Sequence, residues 1–174
     1  MTIIDALLSE LEYESINTRR VLERVPQAHL SWRPHPKSWS LGQLALHIAT
    51  VPGNVAELAS MDTTPEPPRF VQQEAATSAE LLPALTASVA KARHHLGDFD
   101  DAKMSATWRL MSGGREVLAM PRAAFARGIM LNHWYHHRGQ LLVYLRLLDV
   151  PVPSVYGPSA DENPFAAMPA GAAQ

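Results

Sequence analysis

The chain has 174 residues, a formal charge of −2 and no cysteine. One domain accommodates that length with a full hydrophobic core, and the missing thiols exclude disulfides, thiolate metal ligands and a cysteine nucleophile. The charge balance gives no general attraction to nucleic acid or anionic lipid, and neither a basic leader nor an apolar run of ~18 residues occurs, so a cytoplasmic protein without a membrane partner is expected.

In chain order, Ile4, Leu7, Leu8, Leu11, Leu22 and Val25 recur at helical spacing and predict a first helix ending near Pro26. Ser15 and Thr18 interrupt its apolar stripe. They either bond back to their own helix carbonyls or line a pocket. "LSWRPHPKSWS" is a proline-rich, aromatic loop in which Trp32 and Trp39 read as anchors rather than a substrate cage. Ser40 and Gln43 then form a capping box, with Trp39 and Leu44 as its hydrophobic staple, and open a second helix. Leu41, Leu44, Ile48 and Val51 define its inner face, with His47 on the edge of that face. Pro52-Gly53 either kinks this helix or ends it, and "TTPEPPRFVQQ" is a long surface connection.

Thr77 and Glu80 provide another capping box for a third helix running to about Gly97. "ATWRLMSGGREVLAMP" is either a hairpin flap or a loop with one helical turn. Pro121 suits the first position of a last helix that continues to about Leu148. Around this helix Ala126, Ile129, Met130, His133, His137, Tyr144, Leu147 and Leu148 form one stripe, with Leu131, Leu142 and Leu145 opposite. A helix apolar on both sides is buried on both, which points to a homodimer interface or to cover by other helices. The segment "VPSVYGPSADENPF" is expected to lie extended across the bundle, closing a single domain over 1–164, with 165–174 a mobile tail.

Three histidines fall within "NHWYHHRGQL". His133 and His137, four apart, share a helix face with Cβ atoms ~5–6 Å apart, and His47 on a separate helix is the natural third ligand of a shared cation. Buried, hydrogen-bonded core histidines are the competing reading of the same pattern. His136 is turned away by about 100°. His29, His35, His94 and His95 sit on loops or polar faces.

The motifs "SWRPHPKSWSLGQLALHIA", "HWYHHRGQL" and "LRLLDVPVPSVYGPSADE" together make the chain resemble the DinB/YfiT-like metalloenzyme superfamily, more closely its DinB-type branch, from about residue 3 to 164. The resemblance implies an all-α, four-helix bundle with long crossover connections, usually dimeric, holding a divalent metal, nickel or zinc, through His47, His133 and His137. It also implies a metal-dependent reaction in which a low-molecular-weight thiol is activated for transfer to a small electrophile. Hydrolysis of a small substrate by activated water and a non-catalytic, stress-response metal- or ligand-binding dimer are the alternatives.

One departure is specific to this chain. Trp134 stands where relatives often carry Glu, so the glutamate general base of HExxH chemistry is absent. A base would have to come from coordinated water or from a loop, with Asp161 and Glu162 as candidates. Ser15, Thr18, Gln140 and Tyr144 are candidates for orienting a substrate. Arg138 is expected to pair with a carboxylate at a subunit interface or on a loop.

Overall fold

The computed structural model describes residues 1–64 and 71–166. Four long helices carry the core: α1 (Ile3–Leu22), α2 (Leu41–Ser60), α3 (Leu81–Leu96) and a composite last helix. The last helix comprises α5 (Arg122–Phe125), a π-helical stretch (Ala126–Asn132) and α6 (His133–Leu147). A short α4 (Asp101–Ser105) leads into the strands β2 (Thr107–Ser112) and β3 (Arg115–Pro121), which join β1 (Thr63–Thr64) in one sheet. This is the expected helical bundle. Its small sheet has the order β1-β2-β3, with β1 parallel to β2 and β2 antiparallel to β3.

Local signals set most of the boundaries. Capping boxes open α1 (Thr2 with Asp5) and α2 (Ser40 with Gln43), and a third, Thr77 with Glu80, opens the turn leading into α3. The "SGG" stretch is the hairpin alternative: Gly113 and Gly114 have φ of 56° and 75°, the left-handed pair that a tight two-residue turn between twisted strands requires. Pro121 ends β3 and precedes the last helix instead of occupying its first turn.

Pro52 neither ends nor divides α2, which runs on to Ser60. A proline there removes the amide that would bond the Ile48 carbonyl four residues back. The indole N–H of Trp134 donates to that carbonyl instead, at 2.8 Å. Beside the proline, Ser88 on α3 accepts from the Gly53 amide (2.8 Å) and donates to the Thr50 carbonyl (3.0 Å). Gly53 is required by this contact, since a Cβ there would lie 2.8 Å from the Ser88 carbonyl oxygen. The proline is thus accommodated by two neighbouring helices that supply the missing partners.

The far end of α2 is closed by side chains. Trp108 of β2 donates its indole N–H to the Leu58 carbonyl (3.0 Å), and its ring stacks on Phe125 at 3.9 Å. Arg122 is fully buried and donates to the carbonyls of Ala59, Met61 and Lys103 and to the Asp62 carboxylate. These donors satisfy carbonyls that a helix terminus leaves without intrahelical partners.

From Ala126 on, the buried positions of the last helix are Ala126, Met130, Leu131, Trp134, Arg138, Leu141 and Leu145. At about 100° per residue they form one continuous strip. Leu131 and Leu145 are therefore covered by other helices of the same chain, while Ile129 and Leu147 of the other expected stripe are 40% and 58% exposed.

After α6, Asp149 takes a positive φ of 56° and the chain crosses back over α1. Arg20 binds the Ser154 carbonyl and the Glu162 carboxylate, while Arg146 pairs with Asp161. The segment therefore packs across the bundle through Glu162; residues 167–174 of the expected tail and positions 65–70 of the long connection lie outside the described residues.

Candidate metal centre

His47 lies near the middle of the buried face of α2 and is 3% exposed. His133 and His137 open the first two turns of α6 and are half-buried. The bundle brings the three rings together, with centroids 5.2 Å (His47–His133), 4.6 Å (His47–His137) and 4.5 Å (His133–His137) apart. One ring nitrogen from each lies within 4.8 Å of the others. A divalent ion bound by imidazole at ~2.0–2.1 Å fits such a set. The Trp134 bond to Ile48 ties α6 to α2 immediately beside His133 and His47, so the same contact that accommodates Pro52 also fixes the spacing of the histidines.

The protonation states suit a cation. Burial pushes His47 down to about 3, assisted by the neighbouring His137 and His133 rings. Burial likewise lowers His133, opposed by the Ile129 carbonyl, and lowers His137, opposed by Gln140. All three are neutral near pH 7. The Gln140 Oε1 atom lies 2.8 Å from His137 Nδ1, which makes Nδ1 the proton-bearing nitrogen and turns the Nε2 lone pair inward. That Nε2 sits 2.8 Å from His133 Nε2. Two imidazole nitrogens so close, away from bulk water, share either a proton or a cation.

Trp39 forms an aromatic wall against the cluster, stacked on His137 (5.4 Å between ring centroids) and edge-on to His47 (4.9 Å). This corrects the reading of Trp39 as only a loop anchor. Trp32 does anchor its loop, packing edge-on against Tyr144 at 5.7 Å. Two chambers of about 250 Å³ each flank the histidines, and a third cleft of about 210 Å³ meets His47 beside Gln72 and Gln73. The one beside α2 meets His47 and His133 and is walled by Val51, Val55 and Leu58. The other meets His137 and is polar, with Lys37, Ser38, Gln140 and Tyr144 around it.

Of the four candidates for orienting a substrate, the structure places Gln140 and Tyr144 at the site and the other two elsewhere. Ser15 donates to the Glu12 carbonyl (2.7 Å) and lines a separate cleft with Arg19 and Thr86. Thr18 is buried and accepts from Arg138. Arg138 is 2% exposed and pairs with Glu14 of α1 at 2.6 Å, with Tyr156 bonded to both. Its carboxylate therefore comes from within the bundle rather than from a subunit interface or loop.

Asp161 and Glu162 are held by Arg146 and Arg20, away from the histidines, so neither is a base for this site. The carboxylate that does line a chamber is Glu57, which sequence reasoning missed; it pairs with Lys91 at 2.6 Å. His136 is exposed, its ring edge-on to His137. His29, His35 and His94 are exposed and His95 is partly so.

Comparison with known proteins agrees with this architecture. The DinB superfamily model matches residues 10–141, which include all three histidines. The uncharacterized protein YrdA of Bacillus subtilis (strain 168) is 24% identical over 168 residues, covering 91% of each chain. Two crystal structures share the fold. A DinB-like protein from Bacillus cereus ATCC 10987 aligns with a TM-score of 0.64 at 24% identity, over 87% of this chain and 97% of its own. The DinB-like protein YjoA from Bacillus subtilis aligns with a TM-score of 0.66 at 20% identity, over 86% and 96%. With the family model spanning most of the chain, the protein belongs to the DinB superfamily.

Proposed function

We propose that this protein is a metal-dependent enzyme in which His47, His133 and His137 hold one divalent ion, nickel or zinc, for the attack of a low-molecular-weight thiol or water on a small electrophile. The observation that carries this reading is the convergence of three imidazoles held neutral by burial, with one lone pair aimed by Gln140. An ion bound by three neutral ligands keeps its full charge and open positions, and so lowers the pKa of a thiol or water toward neutrality. Around it, Trp39 shields one side from solvent, and the flanking chambers give two reactants separate approaches. No free carboxylate faces the histidines among the described residues, since Glu57 is engaged by Lys91, which favours a nucleophile activated by coordination over one activated by a protein base.

The test is turnover of small electrophiles, esters and lactones by nickel- or zinc-loaded protein, with and without added small thiol. A rate that rises with thiol and vanishes in His137→Ala supports transfer. A metal-dependent rate indifferent to thiol indicates hydrolysis. Metal binding with no turnover across the panel would make the protein a non-catalytic binder. The exposed Ile129, Val143 and Leu147 of the last helix further support a homodimer across that face. Sedimentation should then give twice the chain mass, and a monomer would refute it.

A further inference from the structure

The two chambers differ in chemistry, and the difference points to what each can receive. Beside α2, the wall is Val51, Val55 and Leu58, and the Thr50 hydroxyl is already committed to the Leu46 carbonyl at 2.9 Å. At the rim are the exposed Asn54 and Glu57, whose carboxylate is paired with Lys91. The inner end is formed by His47 and His133. A dry apolar cavity of about 150 Å³ already holds a benzene ring. The volume here, about 250 Å³, suits a one- or two-ring body or its aliphatic equivalent. The chamber beyond His137 is mixed, with Trp39, Leu44 and Tyr144 beside Lys37, Ser38 and Gln140, and so is less apolar than the one beside α2.

We propose that the chamber beside α2 is the substrate subsite for a small, uncharged, apolar-bodied molecule, with Val55 and Leu58 limiting its size and its reactive polar end directed at His47 and His133. The second half rests on the proposed metal site; the apolar recognition does not. An anionic molecule of the same size is rejected, because its charge would be stripped of water against valine and leucine.

The test uses fluorine NMR titrations of fluorobenzene and 4-fluorobenzoate against the full chain, zinc-free and zinc-loaded. In the zinc-free protein fluorobenzene should bind at one site per chain, and 4-fluorobenzoate more than about tenfold weaker. Val55→Phe, which fills the chamber, should weaken fluorobenzene roughly tenfold or more while leaving zinc content unchanged. Should that buried substitution disturb folding, Asn54→Trp at the exposed mouth provides the same comparison in a position that tolerates bulk. Fluorobenzene binding that both substitutions leave intact, benzoate binding as tightly as fluorobenzene without zinc, or no fluorobenzene binding up to its solubility limit would overturn the proposal. If zinc fails to bind while fluorobenzene still does, the metal reading falls and the apolar subsite stands.

Discussion

Replacing Trp134 by Phe isolates the contact that joins α2 to α6 at the histidines. The indole N–H is the donor to the Ile48 carbonyl, whose helical partner Pro52 cannot supply. Both groups are buried, with Trp134 and Ile48 each 0% exposed. Losing the donor leaves a carbonyl desolvated and unpaired, a cost of about 1–3 kcal/mol. The smaller ring adds about 1 kcal/mol through the space it leaves. The expected destabilisation is about 2–4 kcal/mol, a fall in Tm of roughly 5–15 °C for a chain of this size. Adding Pro52→Ala restores an amide for Ile48, so the same Trp134→Phe change should then cost about 1–2 kcal/mol less. Urea unfolding of the wild type, both single variants and the double variant measures that coupling. Strict additivity within about 0.5 kcal/mol would refute the account of how the proline is accommodated. Because Trp134 is not a ligand, the folded variant should still take up metal.

Two further predictions concern the site. Gln140 is exposed and bonds His137 Nδ1, so Gln140→Leu should weaken metal affinity roughly 10–100-fold with little change in Tm, whereas Gln140→Glu, which keeps an acceptor, should retain it. Competition with a chelating dye reads both, and equal affinity in all three proteins would remove Gln140 from the orienting role. For metal-free protein, folding lowers the proton affinity of His47, His133 and His137 from the ordinary 6.5, His47 to about 3. Between those values the unfolded chain binds more protons, so the stability that these neutral histidines confer is complete above pH ~6.5 and is lost as pH falls toward 3. Denaturant unfolding between pH 7 and 5 should show stability falling, by at most about 1.4 kcal/mol per pH unit for each fully displaced histidine, and His47→Ala should reduce the slope. A flat profile in chelated wild type would contradict neutral burial.

The helices and the convergence of the three histidines were legible for local reasons. Capping boxes at Ser40 and Thr77 are short-range signals, and an i, i+4 histidine pair faces one way on any helix. Spacing could not reveal how tertiary partners override local rules. Pro52 reads as a break because its compensation comes from Trp134, distant in sequence, and from Ser88 on α3. On the last helix the buried strip runs through Trp134 and Arg138, which a count of aliphatic residues passes over, and Leu131 and Leu145 lie within that strip. Arg138 and Thr18 were assigned to other surroundings because a buried Arg–Glu pair leaves no periodic signature. Glu14 would have been the clue, since it falls on the apolar face of α1 between Leu11 and Thr18. Reading Trp39 as a staple omits the histidine rings that its indole covers.

Metal content per chain tests the central claim most directly, by elemental analysis of tag-free protein beside His47→Ala and His137→Ala. The account predicts close to one divalent ion per wild-type chain, absent from both variants while their folding persists. No metal in the wild type after reloading with nickel or zinc, or undiminished metal in the variants, would reduce the three histidines to core packing.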